Sequence, residues 1–206
     1  AAKTGALIWF TGPTAAASMT IPSGATYVQT GGASGMNYAI PSDLSVISTD
    51  ISTDVEGLAD RIYAPDTGAN IWRVNISDPD PANWTIGKLA SLGGSGANAR
   101  KFLFAPDVVA FDSTTDSVLI GSGDREAPFD ITIANRFYMI KDSHGINAVP
   151  GAVVTETDLC DLTANNIQTG SAVAAQADRD CLANPGKKGW RINLGTGEKT
   201  VTGATT

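Results

Sequence analysis

The sequence predicts an all-β chain of short antiparallel strands, and three observations predict it. β-Branched and aromatic residues gather in short runs; Gly, Pro, Asn or Asp bounds each run; and long helical periodicity is absent. The 22 glycines and 10 prolines are spread over the 206 residues without a collagen-like period. They read as turn residues between short elements.

The first strand is expected at residues 6–10, where Leu7, Ile8, Trp9 and Phe10 follow Gly5. The next are 44–47, after Pro41 and Asp43, and 61–64, closed by Pro65. Residues 70–76, Asn70 to Ile76, alternate around Trp72 and follow the turn signal Asp66-Thr67-Gly68. Further strands are expected at 101–104, 108–111, 117–120 and 136–140, the third ending at Gly121. The last two are 189–194, around Trp190, and 199–201. A short helix is expected at 155–163, with Thr157 as its cap.

Weak self-similarity runs through these strands. Thr4-Gly5-Ala6-Leu7-Ile8-Trp9 resembles Thr67-Gly68-Ala69-Asn70-Ile71-Trp72. Trp72-Arg73-Val74-Asn75-Ile76 resembles Trp190-Arg191-Ile192-Asn193-Leu194, and Asp60-Arg61-Ile62-Tyr63 resembles Asn135-Arg136-Phe137-Tyr138. Repeated strands carrying a Gly turn and a Trp are the composition cue for propeller blades. The expected fold is therefore a set of antiparallel blades of a modified β-propeller, spanning residues 1–206. About three blades' worth of strands is expected, where closed rings take four to eight. Either the ring is incomplete in this chain or its other blades lie outside it.

Hydrophobic residues make up 42% and charged residues 17% of the chain, a globular composition. The net charge is -7, which repels phosphate backbones, so nucleic acid is not an expected partner. No run of 18 apolar residues exists, so no membrane span is expected. The chain opens without Met or a signal peptide and already reads as strand, so it is expected to be a piece of a longer protein. Cys160 and Cys181 flank a stretch rich in Asn, Ala, Gln and Asp. Neither forms a Cys-x-x-Cys pair and the only histidine, His144, is remote, so zinc is not expected. They are either two free thiols or a bridge. A bridge would restrict the unfolded chain by roughly 3 kcal/mol and would imply an oxidising compartment.

One segment has the spacing of a cation loop. In Ser52-Thr53-Asp54-Val55-Glu56-Gly57-Leu58-Ala59-Asp60, oxygen side chains fall at loop positions 1, 3, 5 and 9, with Gly57 at 6. Alternate residues point inward, the glycine permits the turn, and position 7, Leu58, offers its carbonyl. Calcium suits such an oxygen cage better than magnesium. Ser52 and Glu56 depart from the strong form with three Asp residues, and Asp50 lies nearby; the alternative is an acidic turn. Gly121-Ser122-Gly123-Asp124 reads as a strand end, since no helix follows to receive a phosphate. Asp142, Ser143 and His144 read as a polar turn, because no Gly-x-Ser-x-Gly elbow is present.

Several stretches, taken in one order, resemble the C-terminal propeller domain of the type IV pilus tip-associated adhesin and assembly family, the PilY type. They are Tyr38 to Val46, Asp60 to Gly68, Ile71 to Val74, Val118 to Glu126, Asn135 to Asp142, Lys188 to Leu194 and Gly197 to Lys199. The resemblance implies a modified β-propeller at the pilus tip or outer cell surface, outside the cell. It implies roles in adhesion and in calcium-dependent control of pilus extension and retraction. Partners would be the minor pilins of the tip, a host or abiotic surface, and other parts of the same longer protein. Carried over by position, Ser52, Asp54, Glu56, the carbonyl of Leu58, and Asp60 would hold the calcium. The family loop is Asp-x-Asn/Asp-x-Asp-Gly-x-x-Asp, so weaker binding is expected here. The extracellular setting implies that Cys160 and Cys181 are bridged.

No enzymatic activity is expected on this reading. An alternative is a quinoprotein-type dehydrogenase, whose propellers share Gly-x-x-x-Trp repeats; such enzymes typically carry adjacent cysteines, which this chain lacks. A further alternative is a purely structural propeller scaffold.

Overall fold

A computed structural model describes residues 8–13, 35–48, 58–144 and 149–206. Among these residues nine strands form two sheets. The first is a meander of β1 (Ser45–Ile47), β2 (Arg61–Pro65), β3 (Asn70–Asn75) and β4 (Thr85–Ser91), each antiparallel to the next. The second contains β5 (Asp107–Asp112), β6 (Thr115–Gly121), β7 (Arg136–Ser143), β8 (Cys160–Asp161) and β9 (Gly189–Asn193) in the order β5-β6-β7-β9-β8. Only the β8–β9 pair is parallel. The second sheet is thus a four-stranded antiparallel blade whose last strand arrives after a long excursion. That excursion carries β8 and two helices, α1 (Asn166–Thr169) and α2 (Ala172–Ala183). The fold is β-sheet in character, as expected, with two sheets where about three blades' worth of strands was expected.

One hydrophobic core joins the sheets. Tyr63, Ile71 and Leu89 of the first meet Val118, Ile120, Tyr138 and Ile140 of the second, with Leu92, Phe102, Val154 and Leu159 closing its sides. The opposite face of the first sheet has its own cluster. There Ala64, Trp72, Val74 and Ile86 pack with Trp9, Met36, Ile62 and Ile76. The first sheet is therefore buried on both faces, and every residue of β3 is buried.

The β2–β3 turn is set by one carboxylate. Asp66, fully buried, accepts the backbone N–H groups of Gly68 at 2.8 Å and Asn70 at 3.0 Å. It also accepts the Asn70 amide at 3.0 and 2.9 Å on its two oxygens, and Trp72 Nε1 at 2.9 Å. A side chain of the turn thereby fixes the indole that fills the second cluster. Gly68 leaves room for the Tyr38 ring, which a Cβ would meet at 2.4 Å. Ala69 holds a left-handed φ of 56° with its methyl buried in the main core, so packing offsets the backbone cost.

Several elements differ from the sequence expectation. Residues 8–10 of the expected first strand are not strand, and its residues 6 and 7 lie outside the described residues. Residues 101–104 and 199–201 are also irregular. Their apolar residues pack without joining a ladder: Phe102 is fully buried beneath the sheets. Thr200 donates its N–H to Ser122 O at 3.1 Å, and its side chain would collide with any Cβ at Gly121. The helix expected at 155–163 is a single 3-10 turn, Glu156–Asp158, followed by β8. Thr155, not Thr157, caps it, with Thr155 Oγ1 and N–H both donating to Asp158 Oδ2 at 2.7 Å. Strand β4 and helix α2 were not expected. β4 carries Gly87 and Lys88 in place of β-formers and forms because β3 supplies its partner. α2 is alanine-rich and capped by Ser171, but only Ala175 is buried, so it leaves no amphipathic period to read.

Asp66→Ala strands at least three buried donors and is expected to cost about 3 kcal/mol. For a chain of this size the thermal midpoint falls by about 6–12 °C. Asp78→Ala, which breaks an exposed turn, is expected to shift it far less. Thermal denaturation followed by circular dichroism reads both.

Candidate functional site

The densest group of chemical side chains lies where the two sheets meet. Arg61 and Tyr63 alternate on one face of β2, and Arg73 of β3 lies directly opposite Tyr63. From the second sheet, Asp116 of β6 lies directly opposite Asp142 of β7. Tyr63 Oη is 2.9 Å from Asp116 Oδ2 and 2.8 Å from Asp142 Oδ2. Arg61 Nε donates to Asp116 Oδ2 at 2.9 Å and Arg73 Nη1 to Asp142 Oδ1 at 2.7 Å. Two cations therefore face two carboxylates with a phenol between them. Burial, then the neighbouring Asp142 and Asp116 charges, push the Tyr63 phenol well above its ordinary pKa. It is held in the neutral, proton-donating form at neutral pH.

His144, at the end of β7, belongs to this group. Its Nε2 is 3.6 Å from Asp116 Oδ2 and its backbone N–H donates to Thr114 O at 2.8 Å. The sequence suggested a polar turn here. The structure instead buries Asp142 and largely buries His144, because alternation along β7 turns Tyr138, Ile140 and Asp142 to the core.

A second constellation repeats the first. Arg136↔Asn193, Tyr138↔Arg191 and Met139↔Trp190 pair across β7 and β9. Arg61↔Asn75, Tyr63↔Arg73 and Ala64↔Trp72 pair across β2 and β3. Two of the three similarities noted in the sequence are thus one repeated strand pair in one register. Here a single Glu156 takes the place of the two aspartates. It accepts Tyr138 Oη at 2.7 Å and Arg100 Nη2 at 2.8 Å on one oxygen. Arg136 Nη1 and Arg191 Nε, the latter at 3.1 Å, lie on the other. Arg191 also reaches Asp161 at 2.9 Å. Sequence reading missed Glu156, Arg100, Asp116 and Asp142; the repeated Arg-x-Tyr and Trp-Arg pairs were the signal that buried acids must exist.

The first group is closed and the second only in part, since the Glu156 side chain is 28% exposed and those of Arg136 and Arg191 18%. Tyr63, Asp116 and Tyr138 are 0% exposed, and Arg73 and Arg100 are 1% and 2%. With its charged side chains buried against one another, the chemistry of the first group is that of a lock between sheets.

Of the expected calcium ligands, Ser52, Asp54 and Glu56 lie outside the described residues. Leu58 is 63% exposed. Asp60 is buried at the start of β2, held by its N–H to Ile47 O and by Ile76 N–H to its carbonyl, both at 2.9 Å. Its Oδ2 lies 3.5 Å from Arg61 Nη1. Among the described residues no group of three or more His, Cys, Asp or Glu is placed to hold a metal ion. Cys160 of β8 and Cys181 of α2 form a disulfide, with Cα atoms 6.0 Å apart. It ties a helix with one buried residue to the edge of the second sheet. Among the described residues no helix is long and apolar enough to cross a membrane.

Two outcomes are expected. Burial, then the Arg61 cation, hold the His144 imidazole below its ordinary value, with Arg73 adding and Asp116 and Asp142 opposing. The unfolded chain therefore takes up a proton near pH 6.5 that the folded chain takes up only lower. Stability is full above that value and falls as pH drops through this window. His144→Gln should flatten the difference between urea midpoints at pH 7.5 and 5.5. Reducing the disulfide should cost roughly 3 kcal/mol. Thiol titration under denaturing, non-reducing conditions should find no reactive thiol before reduction and two after.

No family model matches the chain. A curated relative, the type IV pilus biogenesis factor PilY1 homolog of Xylella fastidiosa (strain Temecula1 / ATCC 700964), is 40% identical over 43 residues. That stretch is 21% of this chain and 3% of the relative, so the match spans a small part of the relative's length. The crystal structure of the Pseudomonas aeruginosa PilY1 C-terminal domain aligns with a TM-score of 0.49 at 14% identity, covering 76% of this chain and 39% of that one. In sequence, the chain is similar to a PilY1-type pilus biogenesis factor, the kind of protein its strand motifs resemble.

Proposed function

We propose that this chain is a module of a type IV pilus-associated adhesin and assembly factor, acting outside the cell through binding rather than catalysis. The observation that carries this reading is the 40% identity to the pilus biogenesis factor. Two structural features support it. The densest polar group is sealed between sheets rather than open to a substrate. The Cys160–Cys181 disulfide suits an oxidising, extracytoplasmic compartment. Partners on this reading are minor pilins of the tip, a host or abiotic surface, and other parts of a longer polypeptide.

An internal deletion of the segment in its parent gene, with the parent still exported, tests this reading. Surface pili or surface attachment should be lost. Normal piliation together with normal attachment would overturn it. A bound quinone in purified protein, seen by absorbance, would favour the dehydrogenase reading.

Calcium is the cofactor of this reading. Ser52, Asp54, Glu56, the Leu58 carbonyl and Asp60 supply only oxygen donors, the hard set that calcium takes. Asp60 is a fixed anchor for such a loop, since both of its backbone groups are held. Ser52 replaces an anion and Arg61 stands beside Asp60, so affinity falls at the weak, millimolar end of the range for such loops. Millimolar calcium is expected to raise the thermal midpoint by mass action. Asp54→Ala should abolish the rise, while Glu126→Gln, on the β6–β7 loop, should preserve it. No heat in calorimetry and no thermal shift at millimolar calcium would reduce the loop to an acidic turn.

A further inference from the structure

The two sheets have four edges, and among the described residues three are covered or short. The β4 edge is covered by residues 149–154: Val154 donates its N–H to Leu89 O at 2.9 Å and accepts Ser91 N–H at 2.8 Å. Pro150 and Val149 lie so close over Gly87 that a Cβ there would meet them at 2.6 and 2.7 Å. The β8 edge is two residues long and is tied by Cys160 to α2. The β1 edge is three residues long, and Ser45 Oγ donates to Pro106 O.

β5 is different. It has six residues, pairs only with β6 among the described residues, and has its last four residues exposed. Those four include Val109, 38% exposed, and Phe111, 64% exposed. An apolar edge strand presents unpaired backbone donors and acceptors and is a template for another strand. The protections are partial: no Lys or Pro lies in Asp107-Val108-Val109-Ala110-Phe111-Asp112, one register shift occurs near its end, and Lys141 of β7 places its Nζ 5.8 Å from the Phe111 ring.

Charge decides the occupant. Asp107 and Asp112 bracket the apolar run. Asp112 is held well below its ordinary pKa by the Thr114 N–H and hydroxyl, so it is charged at neutral pH. Asp107 accepts Thr206 Oγ1 at 2.7 Å. A second copy pairing antiparallel would set Asp107 against Asp112 twice, and parallel pairing would set like against like. The net charge of -7 adds to that repulsion. A strand with basic ends meets none of it.

We propose that β5 is a docking edge for one extended segment of another polypeptide, about six residues long, apolar at its centre and carrying Lys or Arg at both ends, opposite Asp107 and Asp112. Backbone pairing supplies the attachment and the two acids select the partner and exclude self-pairing. This inference stands apart from the calcium and pilus readings, since neither is used in it.

The test titrates the isotope-labelled chain with two blocked probe peptides, Lys-Val-Thr-Val-Thr-Lys and Glu-Val-Thr-Val-Thr-Glu, and follows backbone amides by NMR. The Lys-ended peptide should shift the amides of β5 and its turn to β6, bind at least tenfold more tightly than the Glu-ended one, and weaken as salt rises. Asp107→Lys should reduce that preference at least threefold, and the milder Asp107→Asn should do so partially, with the other amides unmoved. No shift at millimolar peptide would show that the acids only guard the edge, and would overturn the proposal. So would equal binding of both peptides, shifts confined to other strands, or a dimer of the free chain that Phe111→Lys dissolves.

Discussion

The contact of the Tyr63 phenol with Asp116 and Asp142, in which one proton is shared between two carboxylate oxygens, is the one on which the rest of the structure depends. It crosses from the first sheet to the second at a point with no solvent. The flanking Arg61–Asp116 and Arg73–Asp142 pairs set a cation against each carboxylate, and Asp60 lies 3.5 Å from Arg61 at the border of the group. Buried ion pairs of this kind add little net stability over apolar residues of the same size, but breaking one side leaves a stranded charge. Their effect is geometric, because a change of sheet offset would strand the buried charges that these pairs bring together. The second constellation around Glu156 repeats the device at β7 and β9, with an acid from the connection rather than from a facing sheet.

Everything outside that lock is attached to it in stages. β3 is held by its turn, where Asp66 gathers Gly68, Asn70 and Trp72. β4 is held by β3 on one side and by Val154 on the other. The helical excursion buries almost nothing and is retained by the disulfide and by short strand β8. Stability should therefore grade from the shared core toward the excursion, with local opening concentrated there.

The strands most legible in the sequence are those whose alternation serves the shared core. β3, β6 and β7 carry dense runs of β-branched and aromatic residues, Ile71-Trp72 with Val74, Val118-Leu119-Ile120, and Phe137-Tyr138-Met139-Ile140, and Asn75 and Gly121 close the first two. The Asp-x-Gly turn before Trp72 and the repeated Arg-x-Tyr and Trp-Arg pairs could also be read. β4 could not, because a neighbouring strand rather than its own residues makes it a strand. Residues 101–104 misled for the opposite reason: Phe102 is apolar because it plugs the core, with no ladder to join. The acids of the lock were hidden because Asp116 and Asp142 stand at ordinary turn-flanking positions, and only pairing across the sheets shows their partners. The calcium loop, by contrast, is legible only as spacing, and most of its side chains lie outside the described residues.

A double-mutant cycle between Tyr63→Phe and Asp142→Asn measures the lock most directly. Both substitutions keep shape and remove only the phenolic donor or the acid's charge. If the two groups hold the sheets as one unit, their stability effects are non-additive, with a coupling of about 1–3 kcal/mol in urea denaturation at pH 7.5. Additive effects within about 0.3 kcal/mol would show that the contact is incidental and that the apolar core alone aligns the sheets.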